Sequence, residues 1–302
     1  YGTDKPDLRF GMSFVRLKEL ALKTTFTVFH DSIAAGGIVK GFTIPKGADI
    51  SRKEIDEYAA YIAEFGMKGL TWIKLQESGF TSSIAKFIPE EEQNKWVDHL
   101  GLTPGDMSFI LVGSEKKVNQ ALDHLRRRVA KKREMMKKDQ FAFLWVTDFP
   151  LFALNSESQR LESEHHPFTS PNFDDMHLID TDPLKMRSSS YDLVLNGYEM
   201  ASGSQRIHDS KLQEKIFQIL GLNHEERLAK FGFFIDALQY GTPPHLGIAL
   251  GFDRLLMVMT GADSIRDVIA FPKTQRAQDL MTQAPSVVSD EQLKELKLVC
   301  KT

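Results

Sequence analysis

The chain contains little cysteine and no long apolar segment. Cys300 is the only cysteine among 302 residues, which excludes a disulfide framework, a cysteine zinc cluster and a CxxC redox pair. No segment reaches the ~18 consecutive apolar residues that a membrane-spanning helix requires. The GxxxxGK[ST] and GxGxxG motifs are absent, which excludes the P-loop and Rossmann modes of nucleotide binding. These absences favour a reducing, cytoplasmic compartment and no membrane partner.

The start of the chain lacks an initiator methionine and the apolar core of a signal peptide. Tyr1 is the first residue and Met12 the first methionine, so we expect a parent protein with further residues upstream. At ~150 residues per domain, the length predicts about two domains. The 38 basic and 41 acidic residues give a formal charge of -3, and 42% of the residues are hydrophobic. This balance is typical of a soluble globular protein.

Positive charge is concentrated in one segment, residues 116–138. It holds ten Lys and Arg against Asp123 and Glu134, a local charge of +8 that leaves -11 for the remainder. Apolar residues recur through it at near-helical spacing, which predicts an amphipathic helix with one basic face. Such a row of cations can neutralise nucleic-acid phosphates. A solvated helix face at a domain junction explains the pattern equally well.

The residues before this helix have the pattern of a small α+β unit. Three segments read as strands: 37–44, 70–75 and 107–112. A helix is predicted over about 52–65, because Ser51 and Glu54 form a capping box ahead of an apolar stripe. The alternation of strands and helices within about a hundred residues favours an α+β fold.

The residues after the basic helix have a different pattern. The nearly continuous apolar run 141–146 predicts a strand buried on both faces, and 155–190 reads as a long loop. Further elements are predicted from caps and periodicity: a strand at 245–251, a helix following Phe252, and helices at 210–220, 224–239 and 289–298.

The segment 191–208 holds two carboxylates and an arginine. A hairpin turn at Ser202-Gly203 would place Glu199 opposite Arg206 on the neighbouring strand. Asp192 precedes Glu199 by an odd number of residues, so the two lie on opposite faces unless a bulge at Asn196-Gly197 shifts the register. With that bulge, both carboxylates could bind one Mg²⁺. A cross-strand salt bridge and an ordinary Asn-Gly turn are the simpler interpretation.

Two further motifs are candidates for ligand contact. The strand before Arg254 has small residues on one face, Gly247, Ala249 and Gly251, so a flat ligand could approach its backbone, although a packed helix is an alternative. Arg254 offers a planar fork for phosphate and a surface that can stack on a base. The pair His165-His166 lies in the long loop and could orient a polar substrate; a surface pair is the alternative.

Several segments together resemble bacterial-type aspartyl-tRNA synthetase, a class II family. They lie in the same order as in the family and span essentially the whole chain: Tyr1–Arg9, His165–Pro171, Asn196–His208, Gly251–Arg254 and Ile265–Lys273. The resemblance implies an α+β fold, with part of the antiparallel-sheet catalytic core of class II synthetases and a small α+β insertion domain. Its implied boundaries are 1–11 for a core segment, 12–118 for the insertion (GAD) domain and 119–302 for the rest of the core.

The resemblance also implies roles for individual residues. The side-chain carboxylate of L-aspartate would be held by Arg206, with His165 and His166 positioning the amino acid. ATP would be bound by Glu199 and by the third class II motif, which comprises Gly251, Phe252, Asp253 and Arg254. Asp192 and Glu199 would contact it through Mg²⁺. No residue acts as a covalent nucleophile, because positioning and charge neutralisation are sufficient for adenylate formation and transfer to tRNA(Asp).

The sequence also departs from the family pattern. The anticodon-binding barrel, the first motif, which forms the homodimer interface, and the second motif, which contacts the α-phosphate, are missing from the 302 residues. We therefore expect an aspartate ligase parent and no adenylate formation by this chain alone. A non-catalytic tRNA-binding fragment and an aspartate-adenylating class II paralogue remain alternatives. Whether tRNA(Asn) is also charged is left open, because anticodon discrimination belongs to the missing barrel.

Overall fold

A computed structural model of the chain describes residues 1–137 and 139–299. Lys138 of the basic segment and Cys300 lie outside the described residues. The chain divides into two compact units, Tyr1–Ala249 and Leu250–Thr302. Among the described residues, no helix is long and apolar enough to span a membrane.

The first unit contains the five-stranded sheet and all of the four-stranded sheet except Leu250, the last residue of its final strand. The strands of the chain are β1 (Val15–Arg16), β2 (Ile38–Ile44), β3 (Thr71–Gln76), β4 (Gly79–Ser82), β5 (Met107–Gly113), β6 (Phe143–Thr147), β7 (Phe152–Leu154), β8 (Leu161–Ser163), β9 (Ser190–Leu195), β10 (Tyr198–Gln205) and β11 (Leu246–Leu250). The helices are α1 (Lys18–Ala21), α2 (Thr27–Ala34), α3 (Arg52–Ala63), α4 (Glu90–Leu100), α5 (Glu115–Lys132), α6 (Ser210–Ile219), α7 (His224–Leu238), α8 (Phe252–Thr260) and α9 (Asp290–Glu295). Most of the predicted elements are thereby confirmed, with α9 shorter than expected.

The first sheet has five strands in the order β1-β2-β5-β3-β4, and its pairings are antiparallel. Because side chains alternate along a strand, the sheet buries a core on each face. One core joins Phe42 and Phe109 to α3 and α5. The other joins Ile73 and Ile110 to Phe29 of α2 and to α4.

The predicted caps of two helices are present. Ser51 accepts a hydrogen bond from the Glu54 amide, and the Glu54 carboxylate accepts one from the Ser51 amide. These bonds and the ion pair with Lys132 lower the pKa of Glu54 to about 2. Asn223 and Glu226 form the same box at α7. Such caps satisfy amides that a helix leaves without a partner in its first turn.

The basic segment forms α5, and its apolar stripe packs on the five-stranded sheet. The expectation of one basic face needs correction, because Arg126 is fully buried. Other cations are neutralised locally. Lys132 pairs with Glu54 at 2.9 Å, Arg133 with Asp49 at 2.9 Å, and Arg127 with Asp123 of the same helix at 2.7 Å.

The N-terminal residues 1–11 are held in place by Arg126. Its guanidinium donates to the Asp7 carbonyl at 2.9 and 3.0 Å and to the Gly11 carbonyl at 2.7 Å. It also lies over the rings of Tyr1 and Phe10, at 4.7 and 4.5 Å from their centroids. Burial lowers the pKa of Arg126. This side chain therefore serves packing, not nucleic-acid contact.

The second sheet has four strands in the order β11-β10-β9-β6. The prediction that β6 is buried on both faces is wrong, since Phe143 is 60% and Trp145 is 58% exposed. Their alternation with Leu144 and Val146 shows that β6 is an edge strand with one open face. A smaller core is formed by residues that precede and follow the strands of this sheet in the sequence, among them Phe152, Ile207 and Ile216.

Candidate functional site

The hairpin of β9 and β10 turns at Asn196-Gly197, whose φ angles are 51° and 85°. Positive φ at both positions is the requirement of a type I′ turn. The predicted turn at Ser202-Gly203 is wrong, and so is the pairing of Glu199 with Arg206. Both residues come after the turn and belong to the second arm of the hairpin. Glu199 lies within β10, and Arg206 directly follows this strand.

The register places the two carboxylates on one face of the sheet. Glu199 lies opposite Val194 and Asp192 lies opposite Ser202, with a register shift between Glu199 and Ala201. Val194 and Asp192 are two residues apart, so their side chains share a face. Asp192 and Glu199 therefore share a face, as a bulge would require. The bulge lies at Met200, however, and not at Asn196-Gly197.

Asp192 is the buried member of this pair. It is 4% exposed, and its Oδ1 has no hydrogen-bond partner among the described residues. Glu199 lies 3.3 Å from the ammonium group of Lys5. A buried carboxylate oxygen without a donor suits a cation, so these two residues fit Mg²⁺. No group of three or more potential protein ligands occurs in the described part of the chain. Mg²⁺ bound here would take its other oxygens from phosphate and water.

Arg206 follows β10 on the same face, at even spacing from Ser202 and Ser204. Its backbone amide donates to the His245 carbonyl at 3.0 Å, beside β11. Burial lowers its pKa. No carboxylate of the described residues forms an ion pair with Arg206, and its guanidinium lies 3.2 Å from Nδ1 of His166. The site thus contains a half-buried guanidinium with donors left for an incoming carboxylate.

The protonation state of His166 follows from its neighbours. The Phe168 amide donates to Nδ1 at 3.2 Å, and the Arg206 guanidinium, which can only donate, approaches the same nitrogen. Nδ1 is therefore the acceptor and Nε2 carries the proton. Burial, with further contributions from Arg206 and His165, lowers the pKa of His166. His165 is more exposed and stacks edge-on against Phe149, 4.9 Å away.

We expect the neutral state of His166 to produce a measurable pH dependence. The pKa of His166 is lower in the folded chain than the ordinary value of about 6.5. As the pH falls below about 6.5, His166 is therefore protonated in the unfolded chain before it is protonated in the folded chain. The free energy of unfolding should therefore fall as the pH drops below about 6.5. In His166→Asn, whose side-chain oxygen can still accept from Arg206, this part of the decrease should disappear. Urea unfolding between pH 5 and 8 measures the free energy of unfolding of each variant. A pH profile of His166→Asn equal to that of the unsubstituted chain would contradict the assignment. His224→Asn, at an exposed position, is the control.

The loop that carries the histidines is held by a residue that sequence reasoning missed. Gln213 of α6 is 1% exposed, and its Nε2 donates to the Pro167 carbonyl at 2.9 Å. Phe168 packs nearby against Phe217, Phe231 and Phe234. The sequence signal that could have identified Gln213 is its position as a polar residue within the apolar stripe of a predicted helix.

A glycine brings β11 close to the hairpin. A Cβ atom added to Gly203 would overlap the Gly247 carbonyl oxygen and lie 2.6 Å from the Tyr191 ring. Tyr191 donates from its hydroxyl to the same carbonyl at 3.0 Å. Gly247 itself has open space where a side chain would be. The predicted bare strand face is therefore present and accessible at Gly247 among the described residues.

The second unit carries the remaining predicted residues in the first turn of α8. Gly251 precedes the helix as its N-cap without a side-chain cap. Phe252, Asp253 and Arg254 follow, with Phe252 68% exposed. The backbone amides of a helix N-terminus favour negative charge. This turn is thus suited to a phosphate group.

Comparisons with known proteins bear on this arrangement. A family model described as tRNA synthetases class II (D, K and N) matches residues 1–275. The chain is 58% identical over 298 residues to the aspartate–tRNA(Asp/Asn) ligase of Protochlamydia amoebophila, covering 99% of this chain and 50% of that protein. It is 55% identical to the ligase of the same name from Chlamydia caviae, covering 51% of it. The chain therefore spans about half the length of the curated relatives it matches.

Solved structures give weaker matches. An aspartyl-tRNA synthetase from Entamoeba histolytica is 20% identical, with a TM-score of 0.34 over 80% of this chain and 43% of that one. An asparaginyl-tRNA synthetase from the same organism, in complex with asparaginyl-adenylate, is 16% identical, with a TM-score of 0.37 over 80% and 48% of the two chains.

Proposed function

Since the chain belongs to the class II tRNA synthetases (D, K and N), we propose that it serves an ATP-dependent, AMP-forming ligase that joins L-aspartate to tRNA. One observation carries the proposal. The half-buried guanidinium of Arg206 has no carboxylate partner among the described residues and is oriented by a neutral histidine. That arrangement suits the side-chain carboxylate of aspartate.

Arg206 would bind the aspartate side chain through two parallel hydrogen bonds. A guanidinium presents donors in a planar fork that matches a carboxylate. His166 would hold this fork by accepting from one of its nitrogens, and His165 would position the amino acid from the more exposed side of the loop. Gln213 would support both histidines through Pro167. Selection for aspartate over asparagine follows, because an amide lacks the negative charge that the guanidinium attracts.

ATP would be bound through its phosphates and its base. Asp192 and Glu199 would hold Mg²⁺, which would neutralise phosphate charge when bound. Arg254, with the backbone of Gly251–Asp253 beside it, would contact the γ-phosphate and stack on adenine. The roles of Asp192 and Glu199 rest on the family pattern and on their shared strand face, whereas the role of Arg254 rests on the family pattern and on its place in the first turn of α8.

The reaction we propose has two steps. The aspartate α-carboxylate attacks the α-phosphorus of ATP, and the bond to the leaving pyrophosphate breaks, which gives aspartyl-adenylate. A hydroxyl at the 3′ end of tRNA then attacks the aspartyl carbonyl and releases AMP. Both steps need reactants held in line and charge neutralised. Arg206 and Arg254 would hold the reactants, and Mg²⁺, held by Asp192 and Glu199, would supply further charge neutralisation when bound, so no covalent intermediate on the protein is needed.

The tRNA partner is proposed to be tRNA(Asp), with tRNA(Asn) as a second substrate. The relatives' names give both tRNAs, and that dual use is carried to this chain as a proposal. A homodimer and a cytoplasmic location also belong to the proposal. So does the division at residues 11 and 118, although α5 crosses the second boundary and shares its core with the five-stranded sheet.

The proposal can be tested with a chimera that joins this chain to the upstream half of the relative that is 58% identical. We expect the chimera to catalyse aspartate-dependent ATP–pyrophosphate exchange and to charge tRNA(Asp). The 302-residue chain alone should show no exchange, because the second motif, which contacts the α-phosphate in the family, is missing from these residues.

Each other outcome supports a named alternative. Salt-dependent tRNA binding by an inactive chimera would favour a non-catalytic tRNA-binding protein. Exchange with aspartate but formation of free asparagine in place of aspartyl-tRNA would favour the paralogue. Robust exchange by the 302-residue chain alone would show that the second motif is dispensable.

A further inference from the structure

A cationic cavity lies between α5 and the turn of the β9–β10 hairpin. Its volume is about 500 Å³. Four side-chain cations line it: Arg9, Arg127, Arg128 and Lys131. The tyrosines Tyr61 and Tyr198 line it as well. Asp7 is its one acidic lining residue among the described residues. All of these belong to the first unit, and none is used by the aspartate site.

The charge in this cavity is only partly neutralised. Arg9 forms a two-pronged pair with Asp7, at 3.0 and 2.6 Å, and Arg127 pairs with Asp123. Arg128 lies over the Tyr61 ring, 4.1 Å from its centroid. Within the described part of the chain, neither Arg128 nor Lys131 has a carboxylate partner at ion-pair distance. Two exposed cations therefore remain available on this side of α5.

The two cations that follow Lys131 in the sequence show the contrast. Lys132 and Arg133 are directed to Glu54 and Asp49 of neighbouring elements. His124, which also lines the cavity, stacks on Phe65 at 4.4 Å, and burial lowers its pKa, so it adds no charge at neutral pH. The available charge on this part of α5 thus comes from Arg128 and Lys131.

We propose that this cavity binds the phosphodiester backbone of RNA, with Arg128 and Lys131 each neutralising a phosphate and Tyr198 providing a surface for a base. A guanidinium held over the Tyr61 ring, 4.1 Å from its centroid, loses little further freedom when it binds a phosphate. Tyr198 is 41% exposed at the rim, and stacking on an aromatic ring accepts any base. The inference rests on the proposed function, in which the RNA is tRNA.

The test compares two double variants of equal charge change in the 302-residue chain. Arg128→Gln with Lys131→Gln removes the two available cations. Arg52→Gln with Lys86→Gln removes one arginine and one lysine that are exposed elsewhere on the first unit. The dissociation constant of tRNA is measured by filter binding between about 50 and 300 mM salt.

We expect the cavity variant to weaken binding about tenfold or more and to reduce the salt slope by roughly 1.8, or about 0.9 for each lost phosphate contact. The control variant should leave the slope unchanged. Arg128→Lys should retain the slope, because it keeps the charge, but lose affinity through the broken stack on Tyr61. Equal effects of the two double variants, or an unchanged slope in the cavity variant, would overturn the proposal.

Two further measurements separate related outcomes. Tripolyphosphate binding that is lost in the cavity variant, with tRNA affinity unchanged, would assign the cavity to free polyphosphate and overturn the proposal. In the chimera, the KM for tRNA should rise about tenfold in the cavity variant. Pyrophosphate exchange by the unsubstituted chimera tests the proposed function independently, since that reaction needs no tRNA.

Discussion

Substitution of Arg206 by lysine is expected to raise the aspartate concentration for half-maximal pyrophosphate exchange in the chimera by about 100-fold. Loss of one arm of a two-pronged, charge-assisted contact costs about 3 kcal/mol, and every 1.4 kcal/mol corresponds to about a factor of ten. Lysine keeps the positive charge but is a point charge, so it cannot match both carboxylate oxygens. It would also lose the contact with Nδ1 of His166.

The control for this substitution is Arg227→Lys. Arg227 of α7 donates to Glu214 at 3.2 Å, outside the aspartate site, so the same chemical change there should alter the aspartate requirement by less than threefold. In Arg206→Lys, the ATP concentration for half-maximal exchange should change far less than the aspartate concentration for half-maximal exchange. Equal increases for the two substrates would point to a general disturbance of the sheet and contradict the assigned role.

Substitution of Arg126 by methionine is expected to lower the free energy of unfolding of the first unit by about 3–5 kcal/mol. Methionine fills much of the space but cannot donate to the Asp7 and Gly11 carbonyls. The Asp7 carbonyl is a buried acceptor, and without a donor it carries its full desolvation cost. The rings of Tyr1 and Phe10 would also lose the cation between them.

Tryptophan fluorescence during urea unfolding measures this effect, because Trp72, Trp96 and Trp145 all lie in the first unit. Arg127→Met, at the adjacent and half-exposed position, should lower the stability much less. An effect no larger than that of Arg127→Met would show that residues 1–11 contribute little to the unit. A changed slope against urea would instead indicate that these residues detach without global unfolding.

Local signals in the sequence were sufficient for most helices. The capping boxes at Ser51–Glu54 and Asn223–Glu226 are present as predicted, and α5 follows its apolar stripe. A cap or a helical stripe involves residues within four positions of one another, so its energetics are almost independent of the remaining chain. The same reasoning applies to β2, β3 and β5, which were predicted to within about a residue.

The turn of the hairpin has two candidates in the sequence, and local and long-range preferences select the same one. Asn196-Gly197 has the residue types that a type I′ turn prefers, and Ser202-Gly203 is a weaker candidate. A turn at the first pair leaves β10 eight residues long, enough to pair with β9 on one side and β11 on the other. A turn at the second would break β10 in the middle. Pairing with a strand more than forty residues away therefore reinforces the local preference for Asn196-Gly197, and the bulge at Met200 then gives Asp192 and Glu199 a common face.

The sequence by itself determined the family, the candidate site residues and the elements that carry them. Only the tertiary structure decided which arginine is buried, which strand face is open and which nitrogen of His166 accepts. Arg126, Arg127 and Arg128 are equivalent in composition, yet Arg126 meets Asp7, 119 residues distant, while Arg128 lines the cavity. The physical reason is that burial and hydrogen bonding depend on which residues meet in space, and short-range pattern carries no information about partners so far along the chain.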